Sequence, residues 1–286
     1  MASASWDKTV KVWKRQTGFN LFTFSEHNDK VQCVDVCPDG KWVFSGGNDN
    51  NVQMRSIDPA TATTTETRPR LLSGHNRAVF GVALSPDGLT LASGSEDRTI
   101  KIWSTGNGRN EATLEGHSDN VLSLSFSSDG QLLASSSQDG QIHIWKVRDR
   151  PGTHPATPSL RRTISNSDSD NVSKVAFLPG GMRLASGSLN RRIVKVWNTG
   201  SGGLEMELEG HTGAVLCVAA FPDGSRIVSG SDDTTLRIWN LHSYRGNAEH
   251  ILRGHSSGVT CVAVSRDGET LVSGSKDKTV RVWKLT

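Results

Sequence analysis

Four cysteines in 286 residues are too few to staple a chain of this size into a disulfide framework, and their pattern points instead to reduced thiols. No apolar run approaches the roughly 20 residues that a membrane-spanning helix needs. The first residues also lack the basic and apolar regions of a secretory signal. Charge of one sign is scarce too: 32 basic residues against 29 acidic ones leave a formal net charge of +3, which creates no strong field for a polyanion. There is no glycine-rich loop of the kind that cradles phosphate and no cofactor motif, so no cofactor is expected. Together these absences predict a soluble, intracellular chain, cytoplasmic or nuclear, without membrane insertion.

What the sequence has is repetition. The distance from His75 to Trp103 is 28 residues, and the same interval separates His117 from Trp145, His211 from Trp239 and His255 from Trp283. A further copy begins at His27 and carries Arg55 where the tryptophan belongs; another has Asp168 at the histidine position and Trp197 one residue late. The stretches joining one copy to the next vary from 14 to 23 residues. A core of fixed length joined by elastic connections is the mark of stacked structural units.

Within a unit the residues read as strands. Val79–Leu84, Leu89–Gly94, Thr99–Trp103 and Glu111–Leu114 are short apolar or β-branched runs, and turn residues separate them. Pro86-Asp87-Gly88 makes the first turn, with proline presetting φ and glycine accepting the positive φ of a tight hairpin. Four antiparallel strands in about 42 residues is the arithmetic of one propeller blade.

Gly-His, Pro-Asp-Gly, Ser-x-x-x-Asp and a terminal tryptophan recur together at fixed spacing over essentially the whole chain. In this the sequence resembles the WD-repeat β-propellers, although the residue after each tryptophan is Lys14, Ser104, Lys146, Asn198, Asn240 or Lys284 and not aspartate. The resemblance implies an all-β fold of four-stranded antiparallel blades forming a single domain over residues 1–286. It is punctuated by loop insertions at about 56–70 and 148–170. Counting strands gives three at the front, five full blades and three at the back, hence seven blades with an incomplete terminal seam. A six-blade closure, with Asn20 to Phe24 completing the last blade, is the alternative.

Repeated histidine, serine and aspartate invite a catalytic-triad reading. A catalytic constellation, however, is needed once and in one cleft, whereas this set recurs as His75, Ser93, Asp97, Trp103; His117, Ser135, Asp139, Trp145; His211, Ser229, Asp233, Trp239; and His255, Ser273, Asp277, Trp283. The resemblance implies a structural hydrogen-bonded network in each blade and no catalytic residue, so no enzyme is expected. Arg55 is placed either to pair with Asp49 or to open a polar notch. Cys33, Cys217 and Cys261 share one repeat position, six residues after the histidine, and are held apart in separate blades. They read as buried thiols, not as metal ligands.

Function in such proteins is implied to lie on the face where the Gly-His loops meet the turns between second and third strands. Candidate contact residues there are Trp6, Asn28, Lys30, Asn48, Asn76, Arg77, Glu96, Asn120, Gln138, Asp232 and Lys276. Trp6 stands out because exposed tryptophan is enriched at binding hot spots. The expectation is a non-catalytic protein-interaction scaffold that binds proteins or peptides. The alternative is a reader of nucleic acid or of acidic or phosphorylated peptides, using Lys30, Arg77, Lys276 and the arginines of the 148–170 insertion. Within that insertion Arg161-Arg162-Thr163-Ile164-Ser165-Asn166-Ser167-Asp168 resembles a kinase substrate, though a solvated loop is the simpler reading.

Overall fold

The structure is a computed structural model that describes residues 1–58, 69–148, 157–165, 170–243 and 248–285. Those residues form twenty-six strands and no helix, arranged as seven antiparallel sheets in sequence order. Sheet 1 is β1 (Ala2–Ala4), β2 (Val10–Trp13) and β3 (Asn20–Phe24). Sheet 2 comprises β4 (Val31–Val36), β5 (Trp42–Gly47), β6 (Val52–Ser56) and β7 (Arg70–Leu72); sheet 3, β8 (Val79–Leu84), β9 (Thr90–Ser95), β10 (Ile100–Ser104) and β11 (Asn110–Leu114). Sheet 4 is built from β12 (Val121–Phe126), β13 (Leu132–Ser137), β14 (Gln141–Lys146) and β15 (Ser159–Ser165). Then come β16 (Val172–Phe177), β17 (Arg183–Ser188), β18 (Val194–Asn198) and β19 (Leu204–Leu208) in sheet 5. Sheet 6 follows with β20 (Val215–Ala220), β21 (Arg226–Ser231), β22 (Leu236–Asn240) and β23 (Ala248–Leu252). Sheet 7 has three strands, β24 (Val259–Val264), β25 (Thr270–Ser275) and β26 (Val280–Lys284).

Seven blades, the first and last with three strands, is the count the repeat predicts. The six-blade alternative is overturned, because β3 pairs with β2, placing Phe24 opposite Val10 and Phe22 opposite Val12. Part of the 148–170 stretch also differs from a loop. Ser159–Ser165 forms β15, with Ile164 buried between exposed neighbours, an alternation that a run of arginines conceals in the sequence. Ser167 and Asp168 lie outside the described residues.

By contacts the chain divides into two compact units, Met1–Leu124 with Arg148–Ser159, and Ser125–Val147 with Leu160–Thr286. Each is held by the same local devices. In the first hairpin of sheet 3 the Ser85 hydroxyl donates to Asp87 Oδ1 at 2.6 Å, the Gly88 N–H donates to the Ser85 carbonyl at 2.8 Å, and Gly88 takes φ +72°. The turn between second and third strands places one residue at positive φ in every sheet: Lys8, Asn50, Arg98, Gly140, Arg192, Thr234 and Lys278.

Sheets join face to face through a recurrent socket. A Cβ built on Gly46 would lie 2.6 Å from Cγ1 of Val79, the first residue of the next sheet; on Gly94, 2.6 Å from Val121; on Gly187, 2.9 Å from Val215; on Gly230, 2.7 Å from Val259. At these four positions only glycine leaves room for the neighbouring valine, while sheet 4 carries the small Ser136 at the same place. Around each socket the third strand turns two aliphatic residues inward, and Val52, Ile100, Ile142, Val194 and Leu236 are fully buried. Burying each such side chain is worth about 1.5–3 kcal/mol, so these joints account for much of the core.

Cys33 and Cys217 are buried, each thiol stacked over a socket glycine, and Cys37 is buried as well. Cys261 departs from that expectation and is exposed, as are Ala263, Val280 and Val282 on the same face of sheet 7.

Candidate interaction face

In sheets 3, 6 and 7 the repeated polar residues form one hydrogen-bonded chain each. In sheet 3 the Trp103 indole N–H donates to Ser93 Oγ at 2.8 Å, Ser93 lies 2.7 Å from His75 Nε2, and His75 Nδ1 lies 2.8 Å from Asp97 Oδ2. Because indole can only donate and carboxylate can only accept, one arrangement satisfies all four groups: the serine hydroxyl donates to Nε2 and Nδ1–H donates to the aspartate. Sheets 6 and 7 repeat it through Trp239, Ser229, His211 and Asp233, and through Trp283, Ser273, His255 and Asp277. In sheet 4, Trp145 donates to Ser135 at 2.9 Å and His117 is buried.

Electrostatics agree with a neutral imidazole. Burial pushes the His75 and His211 pKa down, and the facing aspartates only partly offset it. Burial acts in the opposite sense on Asp97 and Asp233, but donors from Thr99 and Thr235 and from the histidines outweigh it and bring both carboxyls to about 2. Each carboxylate also receives the backbone N–H after the histidine, 3.1 Å from Asn76 and 3.0 Å from Thr212, which ties the Gly-His loop to the turn. Such a chain fixes loop geometry; it presents no nucleophile to a cleft.

Sheets 2 and 5 depart from the pattern. His27 keeps its bonds to Ser45 (2.8 Å) and Asp49 (2.9 Å), while Arg55 ion-pairs with Glu26 and lies 5.3 Å from the Phe24 ring centroid. The sequence offered Asp49 as its partner; Glu26, just before the histidine, is the acid that Arg55 meets. In sheet 5, Trp197 still donates to Ser186 at 2.8 Å, and the fully buried Asp170 accepts the Asn190 N–H at 3.1 Å. Asp168, the residue at the histidine position by counting, lies outside the described residues. Asp170 escaped the sequence reading because it is displaced two residues from the repeat position.

Fixing the loops fixes what they display. On the rim of sheets 1 and 2, Trp6 is 64% exposed, with its indole N–H donating to Gln32 Oε1 at 3.2 Å and the Lys30 ammonium 4.8 Å from its ring centroid. Gln32 in turn donates to Asn48 Oδ1 at 2.8 Å, and Lys8 donates to the Asn28 carbonyl at 2.9 Å. Four candidates, Trp6, Asn28, Lys30 and Asn48, are thus gathered at one place. Gln32, the side chain that links two of them, was not singled out by sequence. On sheet 3, Arg77 pairs with Glu96 at 3.1 Å, and Asn76 accepts from Asn50 at 3.4 Å. Asn120 bonds back to Asp119 at 2.7 Å. In the second unit Gln138 is exposed, and Lys276 pairs with Asp232 at 2.7 Å. Among the described residues no group of three or more His, Cys, Asp or Glu is placed to hold a metal ion, and no helix is long and apolar enough to cross a membrane.

Comparison with known proteins places this geometry. The family model "WD domain, G-beta repeat" matches seven segments: residues 1–14, 18–55, 66–104, 108–146, 158–198, 202–240 and 246–284. Mouse striatin is 27% identical over 261 residues, covering 85% of this chain and 33% of striatin. The rice small ribosomal subunit protein RACK1y is 43% identical over 228 residues, 75% of this chain and 67% of that protein. Chicken serine-threonine kinase receptor-associated protein is 26% identical over 240 residues, 83% of this chain and 62% of its own length. The chain spans about a third of the length of the striatins it matches. Seven matched segments, seven antiparallel sheets and a Trp-Ser-His-Asp chain in sheets 3, 6 and 7 make one conclusion: the protein belongs to the WD40 family, whose fold is the WD-repeat β-propeller.

Proposed function

We propose that this chain is a non-catalytic protein-interaction scaffold, acting as one domain over residues 1–286 in the cytoplasm or nucleus. Its first contact surface is the rim of sheets 1 and 2. The observation that carries the reading is Trp6: a large apolar ring held out to solvent, braced by Gln32 and topped by Lys30. Burying such a ring against a partner supplies the area and the polar handle typical of a hot spot. Asn28 and Asn48 beside it offer amide groups to a peptide backbone. The scaffold reading also draws on the relatives, since a protein named as receptor-associated and one named as a ribosomal subunit protein both bear this repeat over most of this chain.

The polyanion alternative is less well supported. Arg77 and Lys276, two of its three rim cations, are engaged by Glu96 and Asp232, and Arg162 donates to the Ser201 carbonyl at 3.0 Å. The test is capture from lysate by the wild-type chain and by a Trp6→Ala, Lys30→Ala, Glu96→Ala variant of equal melting temperature. A protein partner lost only from the variant supports the scaffold. Capture that the variant retains moves the contact away from this rim, and binding to nucleic acid that collapses as salt rises replaces the scaffold with the polyanion reader.

A further inference from the structure

Tryptophan has one hydrogen-bond donor in its side chain, and seven of the eight indole N–H groups in this chain have an acceptor. Trp6 donates to Gln32, Trp13 to Ser3, and Trp103, Trp145, Trp197, Trp239 and Trp283 each to a serine of its own sheet. Among the described residues Trp42 alone has none. It opens β5, and residues that open the second strand elsewhere are engaged: Thr90 accepts from Arg148, Arg183 donates to the Gly224 carbonyl at 3.1 Å, and Arg226 lies 4.5 Å from the Phe221 ring centroid. Half-buried Trp42 lines a cleft instead.

That cleft has a volume of about 280 Å³ and lies where sheets 2 and 3 meet, wholly within the first compact unit. Trp42, Phe44, Met54 and Leu89 make its apolar lining, and Leu89 is 56% exposed. Pockets for whole small molecules begin at roughly 300 Å³, so this one has room for a single large side chain. Three charged residues line it, and two of them are already matched. Asp87 pairs with the buried Arg148, and Asp39 accepts the Lys41 N–H at 2.8 Å with the Lys41 charge acting on it. Arg70 uses one guanidinium nitrogen to donate to the Thr105 and Gly106 carbonyls, at 3.4 and 2.8 Å, and among the described residues it has no acid partner.

The donors left over are therefore the remaining N–H groups of Arg70 and the indole of Trp42, set around an apolar floor. A guest that satisfies them brings acceptors and negative charge, which disfavours a lysine or arginine side chain. We propose that this cleft docks a segment of a partner polypeptide in which a large apolar side chain stands next to a carboxylate. The apolar side chain enters against Trp42, Phe44 and Met54, and the acceptors beside it meet Arg70 and the Trp42 N–H. The cleft lies at the opposite end of β5 from Asn48 and the Trp6 rim, and its test does not depend on that reading.

The probe is the peptide acetyl-Gly-Phe-Glu-Gly-amide, titrated into the full chain with its tryptophan indole nitrogens isotope-labelled for NMR. Trp42→Phe, which removes one indole signal and keeps a ring in place, identifies the Trp42 resonance. The expected result is a downfield shift of that resonance and slower exchange of its proton with water, the other indole signals staying where they are. Replacing the peptide's phenylalanine with alanine should weaken binding about tenfold or more, the worth of one buried apolar side chain. Arg70→Gln should weaken the glutamate peptide about threefold and leave a glutamine peptide unaffected, a split that a purely structural role for Arg70 would not produce. Leu89→Ser, a change at an exposed position, should weaken both peptides with the melting temperature in place. A Trp42 resonance that does not move overturns the proposal. So does equal affinity for glutamate, glutamine and lysine peptides, and so does a Trp42 resonance that shifts as the chain alone is concentrated, which would put a second copy in the cleft.

Discussion

Among the described residues, Ser93 holds two partners and Ser186 holds one. Trp103 and Trp197 each donate to their serine at 2.8 Å, but Ser93 also lies 2.7 Å from His75 Nε2, and the sheet 5 repeat has no histidine. Removing the hydroxyl of Ser93 strands two buried groups, and removing that of Ser186 strands one. At about 1–3 kcal/mol per unsatisfied group, Ser93→Ala should cost about 2–6 kcal/mol and Ser186→Ala about 1–3 kcal/mol. Urea unfolding of the two variants gives the comparison, and equal costs would show that the histidine link adds nothing.

Thr234 sits at φ +69° in the turn of sheet 6, a conformation that a β-branched residue adopts only under strain. Gly140 occupies the same turn position in sheet 4 at φ +77°. Thr234→Gly should therefore stabilise the chain, by about 0.5–1 kcal/mol after the added freedom of the unfolded state is subtracted. Thr234→Val, which keeps the branch, should show no gain. Thermal melts of both variants decide it.

Acid should unfold the chain in two stages. His75 and His211 have folded pKa values below the ordinary 6.5, so the unfolded chain takes up protons first and stability begins to fall as pH drops below about 6.5. Asp97 and Asp233 are held at about 2 against an ordinary 3.8, so their contribution is intact above pH 4 and is lost as pH falls from there toward 2. Urea midpoints measured from pH 7.5 to 3 should decline gently at first and steeply below 4. Asp97→Asn should flatten the steep part; a profile that keeps its slope would mean that other carboxylates set it.

The strands were legible in the sequence because each blade encodes its own: the alternation in Val79–Leu84, the Pro86-Asp87-Gly88 turn and the tryptophan at fixed distance are all local. The polar chains were legible for the same reason, since their members recur at constant spacing. What escaped depends on contacts between repeats. Cys33, Cys217 and Cys261 occupy one repeat position, yet only the first two are buried, their thiols against the Val79 and Val259 carbonyls of the following sheets. Arg55 reaches Glu26, and Trp6 reaches Gln32, through folding that brings separate turns together; neither spacing announces a pair. Asp170 was hidden by an irregularity that broke the count.

The glycine-and-valine joint has a bearing on how such a chain grows. Val79, Val121, Val215 and Val259 each enter a gap left by a glycine belonging to the repeat before. A repeat therefore carries half of two joints, a plug at its start and a receptacle near its middle, both of one gauge. A duplicated repeat spliced beside one of these glycine-and-valine joints would meet neighbours it already fits, so gene duplication can lengthen the array without re-inventing an interface. A lone change of gauge, such as Gly230→Val, would be rejected unless the repeat that follows changed with it.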